Sequence, residues 1–159
     1  MTYDKKSFMQ ISRIAPTASQ YISDSYTEIS GSKTSVSKKT ISSDLYYKFC
    51  FYASTDQTDE ESVFLHVKLQ RSNDNFSSNI VDVSGCMLNY STDVSTSSDK
   101  LHKLINPFFI VQNTDNDSLR LVARSYSSSN RTQIHLNSEF DGSNSLTNYF
   151  NPSLTVMEI

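Results

Sequence analysis

Chemistry in this chain would have to come from a few scattered groups. Cys50 and Cys86 stand 36 residues apart. Zinc sites use closely spaced cysteine pairs, so this spacing is not one of them, and two reduced thiols are the expectation. His66, His102 and His135 are dispersed. His66 and His135 fall on the sides of their strands opposite the Leu and Val residues, which suits solvent-facing rings better than a metal or general-base site. Three glycines in the whole chain exclude a glycine-rich phosphate loop. Thirty serines include no Gly-x-Ser-x-Gly elbow, and a serine without an oriented base is no nucleophile. Asn113-x-Asp115-x-Asp117 begins like a calcium loop. Ser118 then stands where glycine is needed and Arg124 where glutamate is needed. Asp56, Asp59, Glu60 and Glu61 could hold a divalent ion, but they read first as a solvated acidic loop. Four Asn-x-Ser/Thr sequons, at Asn75, Asn89, Asn116 and Asn130, are expected by chance among so many hydroxyl residues. No catalytic residue, cofactor or metal ligand is assigned, and the chain is expected not to be an enzyme.

The elements that must carry these groups are strands. Ser, Thr and Asn supply 55 of 159 residues, yet Ile, Leu, Val and Phe supply 39, enough for a core. Ala is scarce, and Asp outnumbers Glu twelve to five. That balance disfavours helices, whereas nine Tyr and nine Phe suit a pleated surface. Period-two alternation marks Leu45 to Ala53, Val63 to Gln70, Leu119 to Arg124 and Gln133 to Asn137 as strands. Shorter candidates are Gln20 to Ser30, Lys33 to Ile41, Asn79 to Val83, Cys86 to Tyr90, Phe108 to Gln112 and Leu154 to Ile159. Ser98 to Asn106 reads first as a short helix capped by Asp99 and stopped by Pro107, with a strand as the close alternative. Eight to ten short strands spaced by polar turns predict an all-β antiparallel sandwich of the jelly-roll type.

A net charge of −3 argues against a nucleic-acid binder. No apolar run approaches the roughly 18–20 residues of a membrane span, and the first ten residues lack the apolar stretch of a signal peptide. Manufacture in a cytoplasm is the expectation. Residues 1–18 have no firm pattern and read as a docking arm whose apolar residues are Phe8, Met9, Ile11 and Ile14; residues 19–159 form the domain. Tyr46, Tyr47, Phe49, Phe51 and Tyr52 crowd one strand, more than one face of a small core can bury. Phe49 and Phe51 are assigned to the core, and Tyr46 and Tyr52 to a subunit interface or to solvent. The apolar run Leu154, Val156, Ile159 reads as a last strand held in the sheet or near a symmetry axis.

The closing run Leu154-Thr155-Val156-Met157-Glu158-Ile159 resembles the last strand of small virion proteins of tailed phages, especially marine and cyanobacterial ones. Leu45 to Arg71 and Ser118 to Asp141 look like their middle strands. The resemblance implies a jelly-roll domain shaped like the trimeric heads of tumour-necrosis-factor-like and complement-like proteins. It further implies a role as capsid decoration or cement protein, or as a head- or tail-fibre tip. Expected partners are two further copies of the chain and a larger virion component, with the virion as location. The alternative is a carbohydrate-binding, lectin-like module recognising a host glycan through tyrosines beside Asn and Asp loops.

Overall fold

The computed structural model describes residues 9–13, 20–38, 42–55, 63–92, 101–112, 117–125, 132–134 and 152–159. All regular structure among them is strand: β1 (Met9–Arg13), β2 (Gln20–Ile22), β3 (Thr27–Glu28), β4 (Thr34–Ser35), β5 (Leu45–Thr55), β6 (Val63–Ser72), β7 (Val81–Thr92), β8 (Leu101–Ile105), β9 (Phe108–Val111), β10 (Ser118–Ser125), β11 (Thr132–Ile134) and β12 (Ser153–Glu158). They form two antiparallel sheets, one of seven strands and one of five, packed as a sandwich.

Strand β5 organises the first sheet. One edge carries β12 beside Leu45–Cys50 and β11 beside Ala53–Thr55; the other carries β9 and β8. β1 then pairs with β12, and β2 with β11. β8 and β9 keep a single register, Ile105 opposite Phe51 and Phe108 opposite Lys48. Pro107 sits between them with its carbonyl accepting the Phe49 amide at 3.1 Å. Proline interrupts the ladder without ending the strand because this is a sheet edge, where a missing N–H is tolerated. The helix considered for Ser98 to Asn106 is therefore not formed over Leu101–Ile105, which is strand.

In the second sheet β3 and β4 both pair with one edge of β10, β6 lies on its other edge, and β7 follows β6. β7 joins two segments that read separately in the sequence. Lys68 faces Met87 but Gln70 faces Asp82, so the four residues Val83 to Cys86 bulge opposite Leu69. Gly85 within that bulge has φ +73°, a backbone that disfavours any side chain. The Gln20 to Ser30 segment also differs from a single strand, because the chain crosses from one sheet to the other between β2 and β3.

Merging the interrupted strands gives eight: β1/β2, β3/β4, β5, β6, β7, β8/β9, β10 and β11/β12. The first pairs with the eighth, the second with the seventh, the third with the sixth and the fourth with the fifth. Alternation then fills the interior. Leu45, Tyr47, Phe49, Phe51, Leu154 and Val156 from the first sheet meet Leu65, Val67, Leu69, Leu119 and Leu121 from the second in one buried cluster. A polar tie crosses this core. The Tyr47 hydroxyl donates to the Ser32 carbonyl at 2.5 Å, and the Ser32 hydroxyl donates to the Leu121 carbonyl and accepts the Leu121 amide. Burial pushes the Tyr47 phenol well above its ordinary value, so it stays a donor.

Candidate interaction surface

Residues that face out from β5 are those out of phase with Phe49 and Phe51, namely Tyr46, Lys48, Cys50 and Tyr52. Directly paired residues share a face, and the register sets Ile110 beside Tyr46, Phe108 beside Lys48, and Leu104 beside Tyr52. On the other side Met157 lies beside Tyr46. Phe108 keeps 60% of its surface in water, Ile110 52% and Leu104 45%. The Tyr46 and Phe108 rings stack with centroids 6.0 Å apart. This outer face is thus a mainly apolar, aromatic platform with Lys48 in its midst, opposite Phe108. It continues round the β9 edge, where a cavity of about 370 Å³ opens between β9 and β7, lined by Arg71, Val81, Asp82, Val83, Ile110 and Gln112 among others. Val81 on the far wall and Ile80 just before it in the chain are also exposed.

The outer face of the five-stranded sheet has the opposite character. Arg120 bonds Glu28 at 2.9 Å and Gln70 at 3.1 Å. Lys68 bonds Asp82 at 2.6 Å, with Gln70 donating to the same carboxylate. Burial pushes Asp82 up, but these donors and the Lys68 charge bring it below its ordinary value. Lys68 lies 3.9 Å and Arg124 5.0 Å from the centroid of the Tyr26 ring, and Arg120 lies 4.2 Å from that of Phe76. The Tyr26 hydroxyl meets Nδ1 of His66. Phe76 and Asn75 both take positive φ, 68° and 60°. Their loop is gathered on Asp74, which accepts from the Ser72 and Ser78 hydroxyls and from the amides of Ser77, Ser78 and Asn79. Those donors hold the Asp74 carboxyl far below the usual carboxylate range.

Of the residues singled out in the sequence, Tyr46 and Tyr52 share the apolar platform. Leu154 and Val156 do not join them; both point inward and are buried, and the outward neighbours on β12 are Ser153, Thr155 and Met157. Ile159 ends beyond β12 with its side chain exposed, while its backbone exchanges hydrogen bonds with Asp44 at 2.9 and 3.1 Å. Within the segment read as an arm, Met9 and Ile11 belong to β1, in register with Met157 and Thr155. Phe8 and Ile14 lie outside the described residues, as do His135, the acidic loop at 56–61 and most of the calcium-like stretch. Cys50 and Cys86 are both buried free thiols, on opposite sides of the first sheet's inner layer. Among the described residues no group of three or more His, Cys, Asp or Glu is placed to hold a metal ion. Sequence reading missed Leu104, Phe108 and Ile110. The run Leu104 to Val111 is apolar in both phases, so alternation did not show which of its residues face out, and reading Pro107 as a stop split it.

No family model matches the sequence, and no curated protein matches it. Among solved structures, the chain is similar to dimeric latent PorU from Porphyromonas gingivalis, with 9% identity and a TM-score of 0.42. That match covers 96% of this chain and 12% of the PorU chain, so this chain spans a small part of that protein's length.

Proposed function

We propose that this chain is a non-enzymatic virion structural protein, a jelly-roll module that assembles as a symmetric homotrimer and decorates the capsid, or tips a fibre, of a tailed phage. The nested pairing of first with eighth, second with seventh, third with sixth and fourth with fifth strand supports the jelly-roll reading. The sequence resemblance supports the virion. The observation that carries assembly is the exposed platform of Tyr46, Leu104, Phe108 and Ile110. Aromatic and aliphatic groups gathered on one sheet face mark an association surface. Closing a three-fold ring needs two unlike surfaces on each copy. The platform and the exposed β7 edge at Ile80 and Val81 are such a pair.

The test is light scattering of the purified chain across dilution, followed by antibody labelling of intact particles. A stable mass near three times 18.0 kDa with particle labelling is the expected result. A monomer at every concentration overturns the assembly reading and puts the glycan-binding module first. A trimer absent from particles overturns the virion assignment alone.

A further inference from the structure

Tyr26 lies in the short connection that carries the chain from β2 in one sheet to β3 in the other. β3 contributes only two paired residues, Thr27 and Glu28, to β10. The Ser125 amide bonds the Ser23 carbonyl at 2.7 Å, and the Ile29 amide bonds the Leu121 carbonyl at 2.9 Å. Side chains brace it as well: Gln20 donates to the Glu28 carbonyl at 2.6 Å and accepts the Ser30 amide at 3.0 Å, Glu28 bonds Arg120, and the Tyr26 ring lies against Lys68 and Arg124 with its hydroxyl meeting His66 Nδ1.

Among the described residues, those paired with or following His66 on this face are cations or neutral groups. Arg124 lies directly opposite on β10, Asn89 directly opposite on β7, and Lys68 follows on the same face of β6. Tyr26 packs against it as well, its ring 5.5 Å away. The carboxylates of this face, Glu28 and Asp82, are bonded to Arg120 and to Lys68 with Gln70. Neutral His66 can accept the phenol proton at Nδ1. Protonation places a hydrogen there, so the phenol must turn its own hydrogen away, and adds a third positive charge beside Lys68 and Arg124.

We propose that Tyr26 and His66 form an acid-sensitive latch that holds the β2–β3 crossover and β3 against β10, and that protonation of His66 releases it. Partial burial, then Arg124, then Lys68 lower the proton affinity of His66 in the closed form. In the opened form the ring returns to its ordinary value of about 6.5. The latch energy is therefore fully present above about pH 6.5, is lost as pH falls through the closed-form value, and changes no further below it.

The experiment is NMR on the intact chain, following the His66 ring and backbone amide exchange from about pH 7.5 to about pH 5. The Ile29 amide reports the latch, and the Phe49 amide, bonded to Pro107 in the other sheet, serves as control. His66 should titrate below its ordinary value. The opening constant at Ile29, corrected for intrinsic exchange, should rise about tenfold for each pH unit of that depression, while Phe49 stays flat. In His66→Gln, whose amide oxygen can accept the phenol proton without titrating, the rise should disappear. A flat Ile29 in the wild type, an equal rise in His66→Gln, or a His66 titrating at or above its ordinary value overturns the proposal. The wild-type measurements decide alone if the variant misfolds.

Discussion

Replacing Phe108 with serine tests the association surface directly. The side chain leaves 60% of its area in water and packs on one side against Tyr46. A phenylalanine offers roughly 150–250 Å² for burial, so covering the exposed part hides about 90–150 Å². At about 25 cal/mol per Å² this would contribute about 2–4 kcal/mol to each contact of the proposed trimer. Phe108→Ser should then raise the dissociation constant of each contact about 30- to 700-fold. Within one copy the variant loses the covered remainder, about 60–100 Å² or about 1.5–2.5 kcal/mol, and the stack on Tyr46, worth about 0.5–1.5 kcal/mol. Two assays separate the effects: sedimentation across a dilution series, and urea unfolding of the dilute monomer. The expected pattern is a dissociated variant whose dilute monomer still unfolds cooperatively, at a lowered midpoint. Asn89→Ala, exposed on the charged outer face of the other sheet, should associate like the wild type. Association untouched by Phe108→Ser but weakened by Asn89→Ala would mean the wrong sheet has been assigned to the interface.

Two further expectations concern the scaffold. Tyr47→Phe strips the Ser32 carbonyl of its fully buried donor and should cost about 1–3 kcal/mol, read as a lower urea midpoint at constant slope. The native tyrosine should also make stability fall as pH rises past about 10, because the raised phenol value in the folded state favours the protonated form; the Phe variant should lose that decline. Asp74→Asn leaves too few acceptors for the amides of Ser77, Ser78 and Asn79, so these should exchange faster. The native loop should loosen in acid as the carboxyl protonates, a response absent from the variant.

The long strands were legible because one side of each faces a core. In β5, Leu45, Tyr47, Phe49, Phe51 and Ala53 repeat every second residue, and all five are buried. The same alternation revealed β6 and β10. It failed where the backbone departs from strict period two or where both sides are apolar. The bulge at Val83 to Cys86 broke β7 into two apparent strands, since four residues there answer one on β6. The run from Leu104 to Val111 is apolar on both sides, so its phase could not say which residues enter the core. Pairing with β5 decides that: Ile105, Phe109 and Val111 enter, and Leu104, Phe108 and Ile110 remain outside. Tyr46 and Tyr52 were recognisable as surplus to one core. The residues completing their platform come from β8, β9 and β12, which sequence order does not place beside them.

The two outer faces meet water on different terms, and that difference gives the molecule a direction. On the five-stranded sheet, Lys68 and Arg120 are largely covered, with 12% and 18% of their side chains exposed, yet each has a carboxylate partner and an aromatic ring beneath it. Their alkyl stems shield the sheet while the charged heads stay hydrogen-bonded, so this face loses little by remaining in water. On the seven-stranded sheet the outward residues of β8 and β9 are Leu104, Phe108 and Ile110. Burial of such groups is favourable, and the charges beside them, Lys48 opposite Phe108 and exposed Lys103 on β8, sit on long stems that can keep their heads in water. A second copy brought to the charged face would have to break ion pairs or desolvate them intact, which is costly. Brought to the apolar face, it displaces water from hydrocarbon. Association through the seven-stranded sheet leaves the charged sheet, with its Tyr26–His66 pair, turned outward and open to the pH of the medium.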